Sequence, residues 1–127
     1  MVGYIKRDVE QRTEHVGLNL KINREVFNSF KDYCKKRGYP MNVMLESFMQ
    51  QYANGRFQLN SEEINKWKGV ECEIDILNTT IDKTIHKAFK STCKGNGYFL
   101  RHVLMAFMAK LVSTQYNLEF AEVGSKL

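Results

Sequence analysis

The sequence predicts a mainly α-helical protein with a short two-stranded antiparallel ribbon, formed by two tandem strand–helix–helix units that pair as a pseudo-dimer within one chain. Three observations predict it. Residues 26–49 (VFNSFKDYCKKRGYPMNVMLESFM) align without a gap on residues 85–108 (IHKAFKSTCKGNGYFLRHVLMAFM), an offset of 59. Nine of the 24 positions are identical, including Phe30/Phe89, Cys34/Cys93, Gly38/Gly97, Tyr39/Tyr98, Leu45/Leu104 and Phe48/Phe107. Each copy follows a run that alternates apolar and polar residues at period two, which then gives way to helical spacing. A unit this short cannot bury its own apolar stripe, so two copies imply mutual burial.

Residues 1–15 read as an N-terminal arm with Lys6, Arg7 and Arg12. The first unit, 16–54, opens with a strand in which Leu18, Leu20 and Ile22 alternate with Asn19, Lys21 and Asn23. Val26, Phe27, Phe30, Tyr33 and Cys34 then share one helix face, and Gly38 supplies the positive φ of a helix C-terminus. Pro40 suits the first position of a second helix, whose stripe is Met41, Met44, Leu45, Phe48, Met49 and Tyr52. Asn54-Gly55 ends it.

The connector, 55–69, contains Asn60-Ser61-Glu62-Glu63, the spacing of a capping box, so a short helix is expected over 62–68 with Trp67 anchoring it. The second unit, 70–116, begins with Val70, Cys72, Ile74 and Ile76 alternating against Glu71, Glu73 and Asp75. Thr79 or Thr80 can cap the next helix, with Ile81, Ile85, Ala88, Phe89 and Cys93 on its apolar face. Gly95-Asn96-Gly97 makes the turn into a last helix carrying Leu100, Val103, Leu104, Phe107, Met108, Leu111 and Val112. Residues 117–127 form a tail of little periodicity.

Composition narrows the function. The net charge is +5, with 43% apolar residues. Residues 1–57 hold ten Lys/Arg against six Asp/Glu, while residues 71–127 hold seven against six, so the basic excess lies in the first half. That balance is compatible with nucleic acid. No apolar run approaches the roughly 20 residues of a membrane span, and the polar N-terminus is not a secretory signal; a cytoplasmic protein is expected. Cys34, Cys72 and Cys93 have no CxxC spacing and read as reduced, mostly buried thiols. His15, His86 and His102 are scattered, and the pair His86 and Cys93 makes only two ligands, so no metal and no cofactor are expected. No nucleophile elbow or Ser-His-Asp order appears, which argues against an enzyme and against a small-molecule substrate. Lys31, Lys35, Lys36 and Arg37 read as a solvated face complementing the helix dipole.

The stretch LNLKINREVFNSFKDYCKKRGYPMNVML, residues 18–45, resembles the ribbon-helix-helix family of bacterial and phage repressors, which includes Arc and the methionine repressor. The likeness lies in the alternating ribbon, the Arg24-Glu25-Val26 helix opening, the glycine turn and an Asn in the following helix; the second repeat extends it more weakly. The resemblance implies that two strands pair into an antiparallel ribbon over four interlocked helices, with the ribbon in the major groove of double-stranded DNA. Carried over by position, Asn19 and Lys21 would read bases, with Gly17 offering no side chain at the third site. Asn42 and Arg101, each near the start of its unit's second helix, would contact phosphate, joined by Lys6 and Arg7 of the arm. Pro40 removes one clamping N–H.

The second strand allows two registers. Strict alternation puts Cys72, Ile74 and Ile76 inside and Glu71, Glu73 and Asp75 outside, facing DNA unfavourably; this register is the preferred expectation. The 59-residue offset instead puts Leu77, Thr79 and Ile81 inside and Asn78 and Thr80 outside. A further arrangement pairs first strands from two chains, with self-association on DNA. The expected function is non-enzymatic DNA binding, as a transcriptional repressor or an accessory factor in plasmid or phage DNA processing. The alternative is a protein-interaction module that keeps the fold without reading DNA.

Overall fold

The structure is a computed structural model that describes residues 14–69 and 71–114. Among the described residues, seven elements follow one another: β1 (His15–Asn23), α1 (Arg24–Arg37), α2 (Met41–Ala53), α3 (Ser61–Asn65), β2 (Ile74–Asp82), α4 (Lys83–Asn96) and α5 (Leu100–Thr114). The result is a mostly helical molecule with one two-stranded antiparallel sheet. The ends of β1, α1, β2 and α4, and the starts of α2 and α5, match at an offset of 59.

The local reasons match as well. Each strand runs straight into a helix through an Asx cap: Asn23 Oδ1 accepts from the Val26 N–H at 3.0 Å, and Asp82 Oδ1 accepts from the Ile85 N–H at 3.0 Å. An Asx oxygen there satisfies one of the orphan donors of a first helical turn, and strands that end in it need no loop. Asp82, rather than Thr79 or Thr80, is therefore the cap of α4. Both α1 and α4 end on a left-handed glycine, Gly38 at φ 72° and Gly97 at φ 81°. Their N–H groups, with those of Tyr39 and Tyr98, close the last carbonyls. A side chain at either φ would be strained, which is why glycine stands there. Pro40 sits one residue earlier than expected, at the N-cap of α2, with no side-chain cap bond. The connector helix α3 is shorter than 62–68, but its capping box is present, with Glu63 N–H to Asn60 Oδ1 at 2.8 Å and Asn60 N–H to Glu63 Oε1 at 2.9 Å.

β1 and β2 pair antiparallel, with Asn19 opposite Asn78 at the centre, Leu18 opposite Thr79 and Lys21 opposite Ile76. This register corrects the preferred expectation for the second strand. Leu77 and Ile81 are fully buried, whereas Ile74 and Ile76 are 43% and 46% exposed, and Glu71, Cys72 and Glu73 precede the strand. Asp75 shares the inner parity and is half-buried, its Oδ1 accepting from the Ile76 N–H at 2.9 Å. The physical reason lies at the other end of the strand. The cap at Asp82 fixes where α4 begins, and Ile81 precedes it as Ile22 precedes Asn23; a one-residue slip would turn Leu77 and Ile81 to solvent.

Beneath the ribbon, α1 packs on α5 and α2 packs on α4, so each repeat covers the other's stripe rather than its own. Phe48 and Phe107, equivalent by the offset, stack at 4.1 Å and 11° in the centre. Phe30 meets Phe107 edge-on at 5.8 Å, and Phe89 meets Phe48 edge-on at 5.8 Å. All four rings are fully buried. The buried apolar residues of both repeats form a single cluster that also takes in Phe57 and Ile64 from the connector.

Candidate nucleic-acid interface

The ribbon's outer face carries Gly17, Asn19 and Lys21 from β1 and Ile76, Asn78 and Thr80 from β2, all exposed. They are outward because Leu18 and Ile22, Leu77 and Ile81 must cover the helices, and strand side chains alternate. Gly17 lies opposite Thr80 and Lys21 opposite Ile76, so the row is chemically mixed across the ribbon. From Gly17 to Lys21 the strand advances about 13 Å, comparable with the roughly 12 Å width of a major groove, which admits a two-stranded ribbon.

Each outward group has a definite recognition chemistry. An Asn amide can both accept from and donate to an adenine edge, Lys donates to guanine acceptors, Thr serves either, and an apolar side chain such as Ile76 can meet a thymine methyl. The carboxylates Glu71, Glu73 and Asp75 do not lie on this row, so the repulsion that the acidic register would bring is absent. Ile76 was not singled out in the sequence because strict alternation placed it inside. The 59-residue offset, which aligns it with Gly17, was the signal that finds it. A Cβ built on Gly17 meets nothing within 4 Å, so this position is open to a side chain.

The ribbon ends are clamped alike. The Arg24 N–H donates to the Glu73 carbonyl at 2.8 Å and the Lys83 N–H to the Glu14 carbonyl at 3.0 Å. Side chains repeat the pairing, Arg24 to Glu73 and Lys83 to Glu14, each at 3.5 Å. Both pairs are well solvated and worth little individually.

The expected phosphate contacts fall at two helix starts and on the arm. Asn42 is the second residue of α2 and half-buried; Arg101 is the second residue of α5 and exposed, its guanidinium 5.8 Å from the Phe99 ring centre. Phe99 is 66% exposed, the most among the described large apolar residues. Lys6 and Arg7 lie outside the described residues. Of the cations at the end of α1, Arg37 stacks on Tyr33 at 3.8 Å and Lys36 pairs with Asp32 at 3.1 Å, as a solvated helix face would have them.

Cys34 and Cys93 are buried free thiols whose pKa burial pushes up, to about 11 and about 12, so neither is a nucleophile near neutrality. Among the described residues, no three His, Cys, Asp or Glu side chains come together as a metal site. No described helix is long and apolar enough to cross a membrane. Comparisons with protein-family models, curated proteins and solved structures find no match.

Proposed function

We propose that the chain is a tandem ribbon-helix-helix pseudo-dimer that binds double-stranded DNA without catalysis, as a repressor or as an accessory factor in DNA processing. The observation that carries this reading is the ribbon itself, whose free outer row, Asn19, Lys21, Ile76, Asn78 and Thr80, bears hydrogen-bonding and apolar groups but no carboxylate. An approximate twofold axis between Asn19 and Asn78 above, and between Phe48 and Phe107 below, accounts for the matched boundaries, caps and ring contacts of the two repeats. Asn19, Lys21, Asn78 and Thr80 read base edges, with Ile76 against a thymine methyl. Arg101, Asn42, Lys6 and Arg7 hold phosphates. Because the two ribbon ends present different side chains, the preferred duplex is non-palindromic: a guanine under Lys21 and a thymine under Ile76 at one end, with Gly17 and Thr80 at the other.

Fluorescence anisotropy with labelled random duplex and single strand tests this. Duplex is favoured, and if Arg101, Lys6 and Arg7 each displace a counterion, affinity falls about 40-fold between roughly 50 and 200 mM salt. Salt-insensitive or undetectable duplex binding overturns the reading. A second reading, a protein-interaction module, is favoured by Ile74 and Ile76, exposed on the ribbon instead of buried. Ile76→Asp distinguishes the two. On the DNA-binding reading it puts a carboxylate on the row beside Lys21 and weakens duplex binding, so a duplex affinity that survives unchanged supports the second.

A further inference from the structure

His102, the third residue of α5, is 5% exposed, whereas its counterpart at the offset of 59, Val43 on α2, is 45% exposed. The shared core therefore does not require this position to be inside. The connector covers it: α3 packs against α5, and Trp67 and Gly69, just beyond α3, lie around the same cleft as Arg101, His102 and Met105. Burial here falls on an imidazole, the side chain whose charge changes closest to neutral pH.

In this position the ring is poorly placed to carry a charge. Its Nδ1 is fully buried and has no hydrogen-bond partner. An imidazolium donates from both nitrogens, so protonation leaves a donor facing no acceptor in a site shielded from water. The neighbouring charges have the wrong sign: Arg101 on the same helix, Lys68 on the connector and Lys21 of β1 at the edge of the cleft. Cys72 is the other titratable group lining it; among the described residues no carboxylate does, and Glu73 is turned towards Arg24. The first turn of α5 adds the positive end of a helix dipole. The Phe99 ring packs on the imidazole at 5.5 Å but offers no lone pair. Burial first, then the Arg101 and Lys68 charges, lower the His102 pKa. A histidine lowered in this way favours the closed structure in its neutral form. That contribution is complete above the ordinary value of about 6.5 and is lost as the pH falls below it.

We propose that His102 is an acid-sensitive latch between the connector and α5: the neutral ring lets residues 61–69 close over it, and the protonated ring drives them off. Opening gives the imidazolium water on both nitrogens and moves Lys68 away from Arg101 and His102. The latch occurs once, because Val43 takes no proton. Of the other histidines, His15 is exposed and charges without disturbing any packing. His86, half-buried on α4, is lowered by burial and then by Lys90, and lies away from this contact, so it serves as a control. The inference does not rest on DNA binding.

Trp67 is the chain's single tryptophan and sits on the moving segment, so its emission maximum reports the latch. The full chain is titrated from about pH 7.5 to 5.5, above the range in which the Glu63 carboxylate of the capping box protonates. The emission maximum shifts to the red as the pH falls, and hydrogen exchange of the amides of residues 61–69, corrected for intrinsic rates, accelerates with it. The open-to-closed ratio rises by no more than about tenfold per pH unit, the slope of one proton. His102→Val, which copies the other repeat, removes both changes, while His86→Gln keeps them. NMR titration of the His102 ring in the unaltered chain supplies the same test without a substitution: the ring titrates below the ordinary histidine range, in step with Trp67. An emission maximum and exchange rates that stay flat over this range overturn the proposal. So does an acid transition that persists in His102→Val, or one that disappears in His86→Gln.

Discussion

The half spanning β1, α1 and α2 and the half spanning β2, α4 and α5 share their strand and first-helix boundaries, Asx caps, left-handed glycines and central aromatic rings, yet they differ in what surrounds each ribbon end. At the β1–α1 junction, the Asn23 N–H points at Met105 Sδ at 3.4 Å; at the β2–α4 junction, the Asp82 N–H donates to Glu46 Oε2 at 2.7 Å. Met105 and Glu46 are equivalent by the offset, so one backbone donor meets a thioether and its counterpart a carboxylate. What stays constant is what the backbone and the shared core require. What varies lies at the helix starts and the outer ribbon row, where packing tolerates several residue types and chemistry can diverge.

The strongest way to break the comparison is to attack its shared centre. Phe48→Ala and Phe107→Ala each remove a fully buried ring from the same stack, and each costs about 3–5 kcal/mol in urea unfolding. Because the two rings serve one core, the two losses are nearly equal and unfolding remains a single transition. Two transitions, or one variant much milder than the other, would mean that the halves fold as separate units.

A smaller effect tests where they diverge. Glu46→Ala strips the Asp82 N–H of its acceptor and costs about 1–3 kcal/mol. Glu46→Met, which copies the other half, costs less than Glu46→Ala, since a thioether can fill the space and accept weakly. Should the methionine variant be the worse of the two, the environments of Glu46 and Met105 are not interchangeable and the comparison fails at this point.

The same contrast was only partly legible in the amino-acid sequence. The repeat itself, the glycine turns and the apolar helix stripes could be read because each depends on local backbone chemistry and spacing. The register of β2 could not be read from alternation alone, because Val70 to Ile76 and Leu77 to Ile81 both alternate, in opposite parity. The deciding residue is Asp82, whose capping bond to Ile85 sets the start of α4; in the sequence it looks like one more acidic residue, and Thr79 or Thr80 looked the better cap. Asn19, Lys21, Asn78 and Thr80 were found by position and do share one face. The unpartnered nitrogens of Trp67 and His102 had no sequence signature at all. Trp67 lies in the connector and His102 on α5, two segments that pack together although far apart in number, which no periodicity encodes.

On the proposed DNA face the two strands should also differ. Lys21→Ala weakens duplex binding by about 1–3 kcal/mol, roughly 5- to 150-fold, because a base contact and a charge are both lost. Thr80→Ala at the equivalent position costs less, since a hydroxyl contributes no charge. Gly17→Lys, placed in open space opposite Thr80, raises non-specific affinity and steepens the salt dependence by about one counterion. Equal losses from Lys21→Ala and Thr80→Ala would remove the asymmetry on which a non-palindromic site depends.

The smallest expected difference separates the two ribbon clamps. Arg24 holds Glu73 at 3.5 Å and also donates from its second terminal nitrogen to the Ile74 carbonyl at 3.3 Å, whereas Lys83 pairs with Glu14 at 3.5 Å. Both ion pairs are exposed, so a double-mutant cycle on either gives about 0.2–1 kcal/mol, screened by salt. The planar fork of Arg24 spans two acceptors and loses less freedom per bond than a flexible ammonium does. Arg24→Lys therefore lowers stability by a few tenths of a kcal/mol, within the usual range for a solvent-exposed substitution, while Lys83→Arg keeps a cation beside Glu14 and changes it little. If the two reciprocal substitutions shift the unfolding midpoint by the same amount in high salt, where the ion pairs are screened and the Ile74 hydrogen bond is not, the second acceptor adds nothing and the clamps are equivalent after all.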